Sequence, residues 1–331
     1  MSFLIPRRVL ITGATGFLGR AIIRRLEHSD WLVRGLYRFE DQKLRGSGQT
    51  EWVQIPPLER EINWKPYLHN VDCVVHAAAI AHQINKPSQL SAELYDQVNH
   101  RATATLAAAA KEAGVRRMVF ISSIGAVTEM SEDTIDENSQ LKPMTNYGYS
   151  KKCAEEAVSR ILNDGICDWC ILRPTLMYGP GNPGNMARLQ FLVKRSLPIP
   201  FGKIENRRSF LGVQNMVSAI EAVLTSQNAS KQIFCVADDE VVSTPELIDR
   251  ICMASGLENT VFSIPESLLI GIGKIGDIVD KITRRPLGFD SVSIKKIMCS
   301  LPVSNCLLKS KCKWAPPYSL QDGLNLTFGS K

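Results

Sequence analysis

The chain is short of aromatic residues, 7% of 331, and holds only five histidines. Basic clusters interleaved with aromatics are absent, since the formal charge of +6 is spread over separate pairs in "IIRRL", "GVRRM", "NRRSF" and "TRRPL". That dispersal excludes nucleic acid as the expected partner and suits small phosphate-bearing molecules. Long uninterrupted apolar runs are also missing. The most apolar stretch outside the expected strands, 261–282, is broken by Glu266, Lys274, Asp277 and Asp280. This excludes a membrane span and leaves a helix packed on the core or lying at a partner or membrane surface. There is no internal repeat. The nine cysteines have no repeated spacing, which points to a reducing compartment. "CDWC" at 167–170 lacks a second pair or a histidine at ligand distance and runs into an apolar strand. It reads as two apolar-like thiols, and no metal is expected. The first strand begins within a few residues of Met1, leaving no room for a signal peptide, so a cytoplasmic location is expected.

What is present is an alternation. "VLIT", "LVRGLY", "CVVHAAA", "MVFISS" and "WCILRP" read as apolar strands separated by helices that include 99–113 and 147–161. The pattern predicts an α/β fold, a Rossmann-type doubly wound parallel sheet with ligands at the carboxyl ends of its strands. After "LRPTLMYGPGNPGN" the regularity gives way to Gly- and Pro-rich loops. Residues 1–175 are expected to form a dinucleotide-binding domain. Residues 176–331 should form a smaller C-terminal substrate-binding lobe, with 210–240, including the strand-like "IFCVAD", returning to the sheet.

"RRVLITGATGFLGRAIIRRL" places Gly13, Gly16 and Gly19 where a strand hands over to an amphipathic helix. Glycine there lets backbone N–H groups approach a bulky anion, and the helix points its positive end at it. Further on, Tyr147 and Lys151 lie four apart in "TNYGYSKKCAEEA", hence on one helix face. An ammonium beside a phenol is expected to lower its pKa toward the working range, so that the phenol can exchange a proton with a substrate oxygen. Ser122 and Ser123 end the strand "VFISS", and Ser123 lies 24 residues before Tyr147, where its hydroxyl can hold the same oxygen.

"TGATGFLG", "HAAA", "VNHRATATLAAAA", "FISS", "YGYSK" and "LRPTLMYGPG", in this order and spacing, resemble the extended short-chain dehydrogenase/reductases, the nucleotide-sugar epimerases, dehydratases and 4-ketoreductases. The resemblance covers essentially the whole chain. It implies that Ser123, Tyr147 and Lys151 form a catalytic triad, with Lys151 also holding the nicotinamide ribose, and that Asn99 matches the family's helix asparagine. Gly13, Thr15, Gly16, Phe17, Leu18, Gly19, Leu58, Ala77 and Ala78 are the implied cofactor contacts. Where an acidic residue would bind the adenosine ribose, this chain has Tyr37 and Arg38. An arginine can pair with a 2′-phosphate, so NADP(H) is favoured over NAD(H). The adenine-side "QIPPLER" departs from the family's usual Gly-Asp-Leu.

On the substrate side, "LPIPFGKIENRRSFLGVQN" resembles the segment that holds a UDP-sugar. Phe201 would border the base, and Arg208, with Arg207 beside it, would meet the diphosphate. Thr175, Tyr178 and Asn185 are the polar candidates for the sugar pocket. Family dehydratases carry an Asp-Glu pair where this chain has Ile124 and Gly125, so elimination is disfavoured. Two activities remain, and the triad cannot separate them. The resemblance favours a 4-ketoreductase that forms UDP-N-acetylquinovosamine from a UDP-2-acetamido-2,6-dideoxy-4-keto-hexose for surface-polysaccharide (O-antigen) synthesis. The alternative is a UDP-glucose or UDP-N-acetylglucosamine 4-epimerase. A non-catalytic NADP(H)-binding protein is the third reading, disfavoured because the triad residues are all present. The family also implies a homodimer through helices 99–113 and 147–161.

Overall fold

The structure, a computed structural model, describes residues 7–39, 49–81, 91–182, 185–283 and 290–329. Its strands are β1 (Arg7–Thr12), β2 (Trp31–Tyr37), β3 (Thr50–Gln54), β4 (Cys73–His76), β5 (Arg117–Ile121), β6 (Asp168–Pro174), β7 (Leu176–Tyr178), β8 (Arg208–Gly212), β9 (Gln232–Val236) and β10 (Val241–Val242). The helices are α1 (Phe17–Leu26), α2 (Ala92–Tyr95), α3 (Ala102–Glu112), α4 (Asn146–Ile161), α5 (Asn185–Lys194), α6 (Val213–Thr225), α7 (Thr244–Ser255), α8 (Glu266–Thr283), α9 (Ser291–Met298), α10 (Cys306–Cys312) and α11 (Leu320–Phe328).

Seven strands form one sheet in the order β3-β2-β1-β4-β5-β6-β9, every neighbouring pair parallel. A parallel sheet needs cover on both faces, so its central strands are apolar throughout. Val9, Leu10 and Ile11 of β1 are fully buried accordingly. One face packs on α1 and α6 through Ile22, Ile23, Val217 and Ile220. The other packs on α3 and α4 through Leu106, Ala110, Ala154 and Val158. Strand order reverses between β1 and β4, which opens a crevice at their carboxyl ends. The short strands β10-β8-β7 form a second sheet. Beside it a further core gathers Phe201, Phe210, Leu247, Ile251, Leu324 and Phe328.

The helix expected over 99–113 begins earlier, as α2 followed by a π-helical turn at Asp96–Arg101 that runs into α3. The stretch at 261–282 contains α8, on which Leu268, Ile270, Ile272, Ile275 and Ile278 are exposed. Among the described residues, no helix is long and apolar enough to cross a membrane.

Candidate active site

The turn between β1 and α1 shows why glycines are needed. Gly13 sits at φ +66°, and a Cβ there would lie 2.8 Å from the Ala78 backbone. A Cβ on Gly19 would approach the Gly13 carbonyl oxygen to 2.0 Å, whereas one on Gly16 would meet that oxygen at 3.2 Å, a tight contact, with no other atom outside its chain neighbours within 4 Å. The last position is the cradle. Backbone beside it is bare at the start of α1, where a diphosphate group fits. Ala77 and Ala78 follow β4 and border the same turn, and Phe17 and Leu18 open α1 against the core. Thr15 accepts a hydrogen bond from Arg20 Nε through its carbonyl oxygen (2.7 Å).

Across the crevice β5 delivers Ser123, which caps a short 3₁₀ turn at Ile124–Ala126 by accepting from the Gly125 N–H (3.1 Å). The Tyr147 hydroxyl is hydrogen-bonded to Ser123, and its ring meets Tyr95 edge-on at 6.3 Å. Helix α4 can come this close because position 148 is glycine: a Cβ there would lie 2.2 Å from the Gly125 carbonyl oxygen. Thr145 caps the helix by accepting from the Gly148 N–H (3.1 Å). Lys151 is buried, donates to the Ile121 carbonyl (2.8 Å) and lies over the Phe120 ring at 4.7 Å.

The acidified phenol expected from the Tyr147–Lys151 spacing is not what this geometry produces. Burial raises the Tyr147 phenol to about 12, with the Ser123 hydrogen bond opposing it and Tyr95 and Glu129 adding to it. Burial likewise lowers the Lys151 amine to about 7, the Glu155 carboxylate pulling it back up. In a low-dielectric pocket both groups favour their neutral forms. An amine that is only partly charged does little to stabilise a phenolate.

The structure redistributes several expected contacts. Asn99 is buried and acts as a clamp: its Oδ1 accepts from the Ile80 N–H (2.8 Å), and its Nδ2 donates to the Ile80 carbonyl (3.0 Å) and to Ser150 Oγ (3.0 Å). Arg208 Nη1 is taken up by the carbonyls of Lys296 and Cys299, so part of its fork is committed to α9, while Arg207 is exposed. Phe201 is buried in the core beside the second sheet and does not border open space. Tyr178 is also buried; its hydroxyl donates to Asp238 (2.8 Å), which accepts as well from Asn215 and the Gly212 N–H. Thr175, just after β6, is buried and its hydroxyl has no hydrogen-bond partner. Asn185 opens α5, but its side chain lies outside the described residues. Arg38 is exposed at the end of β2 and faces the Phe39 ring at 5.8 Å; Leu58 packs in the core. Both thiols of "CDWC" are buried, and burial raises both their pKa values.

Sequence reasoning missed two buried groups. Glu155 lies one turn beyond Lys151, pairs with Arg173 (2.7 Å) and accepts from Ser122 Oγ, so that an ion pair 3% exposed on each side ties α4 to β5 and β6. The i, i+4 spacing from Lys151 was the available signal. His76 is the other, fully buried at the end of β4.

A bare-backbone glycine turn at the switch point of a parallel sheet, facing a Ser–Tyr–Lys cluster, defines a dinucleotide-dependent enzyme of hydroxyl and carbonyl chemistry. The profile of the NAD dependent epimerase/dehydratase family matches residues 9–237, and the chain belongs to that family. It is 31% identical to the UDP-glucose 4-epimerase of Vibrio cholerae over 98% of this chain and 95% of that one. It is 26% identical to the N-acetyl-alpha-D-glucosaminyl-diphospho-ditrans,octacis-undecaprenol 4-epimerase of Escherichia coli O157:H7, over 96% and 93% of the two chains. Among solved structures, the UDP-glucuronic acid 4-epimerase of Bacillus cereus in complex with NAD shares the fold, with a TM-score of 0.76 at 18% identity over 97% of both chains.

Proposed function

We propose that this protein is an NAD(H)-dependent UDP-sugar 4-epimerase. The Tyr147–Ser123 hydrogen bond beside Lys151, at the sheet edge that faces the glycine turn, supports oxidation and reduction at a sugar carbon. The observation that carries the epimerase reading is the full-length likeness to a UDP-glucose 4-epimerase. Bound at the glycine turn, a nicotinamide cofactor would supply the acceptor, and then the donor, of the hydride at sugar C4. In this reading Gly13, Gly16 and Gly19 admit the diphosphate, Tyr147 Oη moves the proton of the C4 oxygen, and Ser123 Oγ holds that oxygen. Lys151 orients the ribose and donates charge when protonated. Asn99 holds the loop after β4 against α4. The NADP(H) preference expected from Arg38 gains no support from relatives solved with NAD, and NAD(H) is the cofactor proposed. Thr175, Arg207 and the unengaged nitrogens of Arg208 are the proposed substrate contacts. The proposed substrate lobe is 176–331 without the returning stretch 210–240, and the proposed assembly is a homodimer through the helices at 99–113 and 147–161.

Incubating purified protein with UDP-glucose or UDP-N-acetylglucosamine, without added cofactor, tests the proposal. Conversion to the 4-epimer without net cofactor oxidation is the expected result. A second reading, the 4-ketoreductase, is supported by a likeness of 27% identity, over 73% of this chain, to a dTDP-4-dehydro-6-deoxyglucose reductase of Escherichia coli. Stoichiometric loss of NADH or NADPH absorbance with a UDP-4-keto-6-deoxy sugar, and no epimerisation, would establish that reading instead.

A further inference from the structure

His76 and Thr12 are register partners on adjacent parallel strands, both fully buried, so their side chains meet at the floor of the crevice. The Thr12 hydroxyl accepts from the Ala78 N–H (3.2 Å) and is 2.6 Å from His76 Nδ1. On the other side, His76 Nε2 is 2.8 Å from Thr103 Oγ1, and that hydroxyl donates to the Asn99 carbonyl (2.7 Å). Each threonine has one proton, and the Thr103 proton is spent on a carbonyl. His76 must therefore donate from Nε2, and because full burial keeps the ring neutral, Nδ1 accepts from Thr12, which selects one tautomer. The chain of bonds continues: Asn99 Nδ2 donates to Ser150 Oγ (3.0 Å), which donates to the Tyr147 carbonyl (2.8 Å). At the other end Ala78 is the residue against which Gly13 packs. The imidazole also stacks on Phe120, the ring under the Lys151 ammonium.

We propose that His76 is a positioning residue, a joint that fixes the glycine turn and the Tyr147 helix in one register, its two nitrogens serving the two sides separately. The Nδ1 side sets the spacing of Gly13 and Ala78 and so governs cofactor affinity. The Nε2 side sets the π-helical turn, Asn99 and α4, and so governs turnover. The turnover half rests on the 4-epimerase reading; the affinity half does not.

The two sides can be cut one at a time, because an asparagine amide overlies the Nδ1 position and a glutamine amide the Nε2 position. His76→Asn is expected to lower kcat roughly tenfold, the loss of one buried hydrogen bond, while the Kd for NADH stays within about twofold. His76→Gln is expected to do the reverse, raising the NADH Kd roughly tenfold with kcat at saturating cofactor within about twofold. Thr103→Val should reproduce the asparagine pattern and Thr103→Ser should restore wild-type values. All are measured well below each variant's melting temperature. ¹⁵N NMR of the histidine rings should show one neutral Nε2–H ring that stays neutral at pH 5. Equal losses of kcat and affinity in both variants, unchanged values in both, or a ring protonated at Nδ1 would overturn the proposal. If the wild type turns over no UDP-sugar, the functional reading fails, and the NADH affinities and the NMR decide this proposal alone.

Discussion

Tyr147 and Lys151 share a helix face, yet burial drives one upward to about 12 and the other downward to about 7. Replacing Tyr147 by Phe removes the hydroxyl proposed to carry the substrate proton. Turnover should fall at least about 100-fold while NADH affinity, measured by fluorescence titration, is retained. Lys151 makes stability depend on pH with a defined sign. The unfolded chain keeps the lysine proton up to its ordinary 10.5, whereas the folded chain releases it near 7. Between these values the unfolded state binds more protons, so the lysine's contribution to stability rises with pH, by at most about 1.4 kcal/mol per pH unit. Urea denaturation between pH 7 and 9 should show that rise in the wild type and not in Lys151→Met. His76 adds an acid limb. Its pKa falls from 6.5 to about 3 on folding, through burial and the nearby Lys151 charge, so its contribution is complete above about 6.5 and is lost as the pH drops toward 3.

At the scale of elements, contacts at the loop termini decide what fits. Gly16→Ala and Gly19→Ala lie three residues apart and should behave differently. The first adds a methyl 3.2 Å from the Gly13 carbonyl oxygen, a contact relieved by a shift of a few tenths of an ångström, so the melting temperature should fall much less than for the second while the NADH Kd rises. The second drives a methyl into the Gly13 carbonyl and should cost about 1–3 kcal/mol or more, visible as a lower melting temperature before any ligand is added. The Glu155–Arg173 pair is a comparable joint between α4 and the sheet. Glu155→Ala leaves a buried guanidinium without its partner and should cost about 3–5 kcal/mol in chemical denaturation. Much of this level was legible. Apolar runs marked β1, β4, β5 and β6, and the Ala-rich pattern marked α3. The π-helical turn at Asp96–Arg101 was not legible, because Asn99 and Thr103 bond there to Ile80 and His76, which lie on a distant part of the chain.

For the whole molecule, the proposed dimer makes a separate claim. Ala108 is a half-buried position on α3, and a dimer built on α3 and α4 should tolerate nothing large there. Sedimentation equilibrium at micromolar concentration is expected to give twice the chain mass for the wild type and a single chain for Ala108→Arg, with both retaining the same far-UV spectrum.

The order of strands and helices and the glycine turn were determined by the sequence alone, because each depends on neighbours a few residues apart or on hydropathy that alternates along the chain, and the Ser123–Tyr147–Lys151 set was legible through motifs whose order matches a family pattern. Protonation and partners were decided only in three dimensions. The same tyrosine and lysine that look mutually activating four residues apart are each pushed toward the neutral form once desolvated. Phe201 and Tyr178 turn inward to a core, and His76 finds Thr12 and Thr103 on elements 64 and 27 residues away. Burial and long-range hydrogen bonds are properties of packed surfaces, and no window of the chain contains both partners.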